Sequence, residues 1–165
     1  MKMVLDLEEE VLVRESSLDM TQEIWDVLSE AFAPYYKFYT EKAYSATVIS
    51  PSEIKERIQD PKTIVLIASY KGKVVGTVSI ELQNKSLQIR SMAVMPKYQR
   101  KGIGSSILEK VFAISKEKSI KTLSLECFDP LIEAKKLYKK FDFKSTGKKK
   151  TLHGIEIFEI MKKVH

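Results

Sequence analysis

The sequence predicts an α/β fold of the α+β kind: a central, mixed but mostly antiparallel twisted sheet of about six to seven strands flanked by about four helices. Three observations carry this expectation. Strand-like runs follow one another closely between Thr63 and Val94 with short turns between them, the pattern of an antiparallel meander. After Pro96 the apolar period changes from that of a strand to that of a helix. Beyond this helix a short apolar run, Thr122 to Cys127, returns to strand, and the intervening helix makes its pairing with Leu87 to Val94 a parallel crossover.

In chain order, Val11 to Arg14 is a short strand. Asp19 followed by Gln22 has the form of a capping box, opening a helix whose Ile24, Val27, Leu28 and Ala31 share one face. Pro34 closes it, because the residue before a proline is pushed out of helical geometry. The stretch from Pro34 to Ile49, with Tyr35, Tyr36, Phe38, Tyr39 and Tyr44, carries no period that assigns an element, and it is expected to frame an acceptor pocket. Ser50, Pro51 and Glu53 supply the cap, first-turn proline and capping-box acid of a second helix, with Ile54 and Ile58 on its apolar stripe and Pro61 as its stop. The meander is Thr63 to Tyr70, Val74 to Leu82 and Leu87 to Val94, with turns at Lys71-Gly72 and Asn84-Lys85. Ile103, Ile107, Val111 and Ile114 form one face of the third helix. On the fourth, Ala134, Leu137, Tyr138 and Phe141 oppose Lys135, Lys136, Lys139 and Lys140. A closing hairpin joins Phe143 to Thr146 or later with Ile155 to Met161 and turns near His153 and Gly154. No repeat or low-complexity linker divides the chain, so one domain over residues 1–165 is expected.

Composition narrows the function classes. The 165 residues, 44% apolar and 30% charged, suit a globular domain with an ordinary core. The longest apolar runs fall far short of the roughly 20 residues a bilayer crossing needs. Met1 to Glu10 alternate acids with apolar residues and lack the plan of a secretory signal, so a cytoplasmic protein without a membrane partner is expected. Cys127 is the sole cysteine, which excludes an intrachain disulfide and a zinc site of several thiolates. His153 and His165 add no ligand cluster, and no metal is expected. The net charge of +6, from 28 basic and 22 acidic residues, is concentrated in Lys135 to Lys150 and favours an anionic partner. Nucleic acid is not the expected one, since aromatic and basic residues form no stacking motif and no zinc-finger or basic-zipper pattern occurs. Lys148, Lys149 and Lys150 read as a solvated turn. Nothing decides between a monomer and a homodimer.

The segment Gln99, Arg100, Lys101, Gly102, Ile103, Gly104, Ser105 joins a strand to a helix, so its backbone N–H groups include the unpaired donors of a helix start. Gly102 and Gly104 have no Cβ to keep an anion away, and Arg100 and Lys101 bring positive charge. A pyrophosphate suits such a nest. The helix dipole alone adds about 0.3 to 1 kcal/mol at an exposed site, so hydrogen bonds must supply most of the grip. Two rival phosphate motifs fail: Ile107 stands where a dinucleotide fingerprint needs its third glycine, and no Walker-type run is present.

Met92, Ala93, Val94 and Pro96, then Gln99-Arg100-Lys101-Gly102-Ile103-Gly104, then Ala134, Leu137, Tyr138, Phe141 and Phe143 resemble the GCN5-related N-acetyltransferase (GNAT) superfamily, most strongly over Leu87 to Phe143. Its acyl-CoA signature, Arg/Gln-x-x-Gly-x-Gly/Ala, is met by Gln99, Gly102 and Gly104. The resemblance implies acetyl-CoA as co-substrate, with the main chain of Met92, Ala93 and Val94 along the pantetheine arm and Gln99 to Ser105 around the pyrophosphate. It also implies a gap between that strand and the one before Cys127, where the thioester lies, and Tyr138 as the acid that protonates the departing sulfur.

The chemistry demands more. Presenting a free amine at pH 7 costs roughly 4.6 kcal/mol for an alkyl ammonium of ordinary pKa, so a proton acceptor is required, directly or through water. Gln88 occupies the place where the histone-modifying branch has a glutamate, and an amide is no base, which argues against a histone-type substrate. Glu81 and Glu126 on neighbouring strands are the candidates, with a water chain as the other route. Tyr138 lies on an apolar face and is equally suited by position to packing. Leu131 replaces a common asparagine facing the cofactor, and Asp142 replaces the glycine usual before Phe143. Cys127, in a buried strand, reads as packing rather than as a nucleophile, so transfer is expected to be direct. The resemblance implies a small-molecule or protein amine as the acceptor. The alternative is a non-catalytic acyl-CoA-binding regulatory module.

Overall fold

The computed structural model describes residues 11–164; the readings made on Met1 to Glu10 and on His165 lie outside the described residues. The strands are β1 (Val11–Glu15), β2 (Thr63–Tyr70), β3 (Lys73–Gln83), β4 (Ser86–Val94), β5 (Thr122–Phe128), β6 (Lys144–Leu152) and β7 (Ile155–Lys163). They form one seven-stranded sheet in the order β1-β2-β3-β4-β5-β7-β6. The first four strands pair antiparallel in succession, β5 is parallel to β4, and β7 is inserted antiparallel between β5 and the edge strand β6. The turns obey local chemistry. Lys71 (φ 50°) with Gly72 (φ 82°), and His153 (φ 51°) with Gly154 (φ 82°), adopt the left-handed pairs that tight hairpins require.

The α-helices are α1 (Thr21–Phe32), α2 (Glu41–Thr47), α3 (Pro51–Gln59), α4 (Ile103–Glu117) and α5 (Ile132–Lys140). Four consecutive residues of β2, Val65 to Ala68, are buried, so both faces of the sheet are covered. Packing of α4 on the Ala68 face is close because Gly76 makes room: a Cβ there would stand 3.1 Å from Ile107 Cδ1 and 3.3 Å from Ala68 Cβ. On the other face, Ile24 and Leu28 of α1 and Ile54 of α3 meet Val65.

Helix α3 starts as expected. Ser50 Oγ accepts from the Glu53 N–H at 3.2 Å, and Glu53 Oε1 accepts from the Ser50 N–H at 3.3 Å, the reciprocal capping box. Helix α1 differs: no side chain caps it, Asp19 accepts instead from the Ser17 hydroxyl, and a 3-10 turn over Leu18–Met20 leads in. Thr21 fastens that turn by donating to the Leu18 carbonyl at 2.6 Å. The aperiodic stretch holds a 3-10 turn, Ala33–Phe38, and the extra helix α2, capped by Thr40, whose hydroxyl accepts from the Ala43 N–H at 3.1 Å. Too short to show a period, α2 brings the α-helix count to five among the described residues. A second correction concerns Lys148, Lys149 and Lys150: they belong to edge strand β6 rather than to a turn, with Lys149 opposite Phe158 and Lys150 opposite Ile157. Their charge blunts an edge that would otherwise template further strands. Among the described residues no helix is long and apolar enough to cross a membrane.

Candidate active site

The sheet opens at its middle. Strands β4 and β5 pair from Ser86↔Thr122 to Ile89↔Leu125 and no further, while β4 stays with β3 to Val94↔Gly76 and β5 stays with β7 to Phe128↔Ile157. The cause lies in β4. Between Arg90, opposite Ser79, and Ala93, opposite Thr77, β4 carries one residue more than β3, a bulge at which Ser91 takes a left-handed φ of 51°. A bulge bends the strand that carries it, and here it turns Met92, Ala93 and Val94 away from β5. Their edge facing the gap has no ladder partner, leaving main-chain groups for another amide-bearing chain.

A cleft of ≈ 460 Å³ runs from this gap to the start of α4 and is lined by Met92, Ala93, Val94, Gln99, Arg100, Gly102, Ile103, Gly104, Ser105 and Tyr138. Of the sequence-predicted cofactor residues, Lys101 alone does not line it; its ammonium sits 5.6 Å from the centre of the Tyr70 ring. Gly102 caps α4 at φ 80° with no side-chain hydrogen bond, so the first N–H groups of the helix are unclaimed by a cap. Arg100 is also left-handed, at φ 65°, and alternation of this kind turns successive N–H groups into an anion nest. Gln99 serves the loop itself, donating from Nε2 to the Val94 carbonyl at 3.1 Å. The two glycines have different jobs. Gly102 meets nothing within 4 Å and is needed for its φ, whereas a Cβ at Gly104 would come within 2.8 Å of Leu137 Cδ2, so this glycine lets α4 and α5 approach. Lys136 and Lys140 of α5 add positive charge to the wall that the loop alone did not predict.

A second chamber, ≈ 250 Å³, adjoins the cleft and shares Phe32, Met92, Leu131, Ala134 and Tyr138 with it. Tyr138 therefore borders both spaces. Its side chain is buried, edge-on to Phe143 at 5.8 Å, and burial, with Cys127 as a lesser cause, pushes its hydroxyl pKa well above the ordinary 10.0. Cys127 lines the chamber too, its thiol pushed up to about 12 by burial, which suits packing rather than attack. Of the two candidate bases, Glu126 lines the chamber and is ion-paired to Lys150 at 2.8 Å. Glu81 lines neither space; it is paired to Arg90 at 2.9 Å across the sheet. Gln88 faces the chamber and accepts from Gln83 at 3.3 Å.

Tyr39, from the Pro34 to Ile49 stretch expected to frame an acceptor pocket, lines the chamber, packed 4.6 Å from the Phe128 ring and with its hydroxyl raised to about 12 by burial. Arg57 is a chamber residue that sequence reasoning passed over, and its signal was legible: it falls on the apolar stripe of α3, three residues after Ile54, where a cation is out of place. The turn between β6 and β7 closes one side, because the Thr40 hydroxyl donates to the His153 carbonyl. Leu131 lines both spaces from the start of α5, and Asp142 does take the left-handed turn that a glycine would, at φ 67°.

A mixed sheet split between two central parallel strands, with an uncapped helix start at one end of the split, defines the class: an α/β protein with a cleft between diverging strands. Residues 21–143 match the model of the acetyltransferase (GNAT) family, and the chain belongs to that family. A Bacillus subtilis protein named for N-acetylation of the alanine of ribosomal protein bS18 is 28% identical over 98 residues, 59% of this chain and 65% of the relative. A Chlorobaculum tepidum protein named as an uncharacterized N-acetyltransferase is 36% identical over 72 residues, 43% of this chain and 44% of that protein. These matches thus span less than two thirds of either relative. Among solved structures, the PaiA N-acetyltransferase of Thermoplasma acidophilum, in complex with coenzyme A, superposes with a TM-score of 0.80 at 19% identity, covering 93% of this chain and 99% of that one. The ribosomal-protein-S18-alanine N-acetyltransferase of Escherichia coli gives 0.70 at 18% identity, covering 92% and 90%. At these identities the likeness is one of fold.

Proposed function

We propose that residues 1–165 act as one N-acetyltransferase domain that moves an acetyl group directly from acetyl-CoA to a primary amine, on a small molecule or on a protein. The observation that carries this reading is the continuity of the split: the open edge of β4, the uncapped start of α4 and Tyr138 border one cleft. The residues fit the ligand. Backbone N–H groups from Gly102 to Ser105, with Arg100, Lys136 and Lys140 nearby, suit a diphosphate, and the edge at Met92, Ala93 and Val94 that β5 leaves without a ladder partner suits an arm rich in amides.

In this reading the amine enters from the smaller chamber and meets the thioester where the two spaces join. Glu126, through water, takes the amine proton; it is favoured over Glu81, which does not line the chamber and is held by Arg90 at 2.9 Å. The nitrogen attacks the carbonyl carbon, the carbon–nitrogen bond forms, and a backbone N–H of the Met92 to Val94 edge steadies the oxygen that gains charge. As the carbon–sulfur bond breaks, Tyr138 gives its proton to the sulfur. With its pKa raised by burial, this hydroxyl reliably holds a proton at neutral pH.

Calorimetry with coenzyme A followed by thiol release with a panel of primary amines tests the proposal. Binding together with amine-dependent release is expected. Folded protein that gives no heat with coenzyme A would end it, and binding with no release for any amine would assign the regulatory module instead.

A further inference from the structure

Resting on the transferase reading above, we propose that the smaller chamber selects an amine acceptor that also carries a carboxylate, and that Arg57 is the group that holds it. Three observations lead there. First, the other lysine, arginine and glutamate side chains lining the chamber have opposite charges at hand: Arg90 with Glu81 at 2.9 Å, Lys135 with Asp129 at 2.7 Å, Glu126 with Lys150 at 2.8 Å. Arg57 forms no salt bridge with a described residue, and Glu53 and Glu81 reach it only as nearby charges. Second, its protein contacts are two hydroxyls, both on a single nitrogen: Nη1 donates to Ser79 Oγ at 3.3 Å and to Ser91 Oγ at 2.7 Å. The rest of the guanidinium fork makes no hydrogen bond to a described residue, and a fork is the shape that takes both oxygens of a carboxylate. Third, Ser91 is the bulge residue directly before Met92, so Arg57 is anchored one residue from the strand edge along which the thioester would lie.

The group is also partly desolvated. Burial, with Arg90 next, pulls its pKa down to about 10, yet it stays charged at neutral pH. The charges of Glu53 and Glu81 offset burial and Arg90 only in part, and a ligand carboxylate in direct contact would relieve the rest more fully than an uncharged group. A single carboxylate matches the one lining cation that has no salt bridge, whereas a phosphate dianion would leave excess negative charge in a chamber that Glu126 also lines. Arg57 also fastens α3 to β3 and to the bulge, and the test must separate that role from recognition.

The test measures kcat/KM for primary amines of equal chain length ending in a carboxylate, a hydroxyl, a second amine or a phosphate ester, and for a peptide amide with an uncharged N-terminal residue. The amino carboxylate is expected to exceed the amino alcohol by at least about tenfold, and Arg57→Gln to bring that ratio close to unity. A merely structural Arg57 would lower all amines alike and leave the ratio in place, which would overturn the proposal. Preference for the diamine, the phosphate ester or the peptide amide would also overturn it. Should Arg57→Gln not fold, a simple carboxylate lacking an amine still reports on the wild-type protein: inhibition competitive with the amine supports the site, and none overturns it. If no amine releases thiol, the transferase reading fails separately, and calorimetry of the amino carboxylate on the coenzyme A complex of wild type and Arg57→Lys decides this one, absence of heat with wild type being fatal.

Discussion

Tyr138 carries two demands on one side chain, since its ring packs on Phe143 while it borders both the cleft and the chamber. Apolar-face spacing in the sequence allowed either role, and the structure shows why spacing cannot choose: a residue at the seam of two spaces is buried and reachable by a bound ligand together. Tyr138→Phe keeps the ring and removes the proton, so kcat should fall about 10²-fold with little change in coenzyme A affinity. Unchanged kcat would strike Tyr138 from the mechanism. Titration of buried groups gives a second expectation. The Cys127 thiol rises from 9.0 to about 12 and the Tyr39 hydroxyl from 10.0 to about 12, both chiefly by burial, and Tyr138 is raised as well. All three keep their protons in the folded chain where the unfolded chain sheds them. The folded state then binds more protons, so this stability is complete below about pH 9 and is lost as pH rises toward about 12. Urea midpoints between pH 8 and pH 11 check it: they should fall with pH, and Cys127→Ala should remove the earliest part of the fall.

Among the elements, those with explicit local signals were legible and those set by tertiary contact were not. Ser50, Pro51 and Glu53 announced α3 because a capping box is a contact between near neighbours. Asp19 and Gln22 offered the same letters, but the Ser17 hydroxyl engaged Asp19 and a 3-10 turn replaced the box. Part of edge strand β6 reads as a turn in the sequence because its exposed lysines carry no alternation; only pairing to β7 makes it a strand. The bulge at Ser91, where the cleft opens, left no mark in the letters, since it is a mismatch between two strands rather than a property of one. At the start of α4 the two glycines should respond differently. Gly102→Ala meets open space but a left-handed φ, so the loss should be about 1 to 2 kcal/mol of stability, read as a lower melting temperature. Gly104→Ala crowds the flexible tip of Leu137 in the cleft wall, so a raised KM for acetyl-CoA with a smaller thermal shift is expected, and the reverse order of the two effects would refute this division of labour.

At the scale of the whole molecule, the meander, the crossover and the closing hairpin were readable from period and turn chemistry, whereas the insertion of β7 between β5 and β6 follows from long-range pairing that local patterns do not encode. Ligand that binds only the folded state stabilises it, so coenzyme A at about 100 times its dissociation constant should add about 2.7 kcal/mol and raise the melting temperature accordingly. No shift at saturation would contradict the cleft assignment. The short stretch of pairing between β4 and β5 gives that shift a location. Four residue pairs, Ser86↔Thr122 through Ile89↔Leu125, are the whole of the ladder joining β1–β4 to β5–β7 along the centre line. A thread laid down the unzipped remainder acts as a suture between two panels, so amide protons of Leu87 to Ile89 should exchange more slowly once the seam is sewn, and the empty protein should be softest across its own middle rather than at its rim.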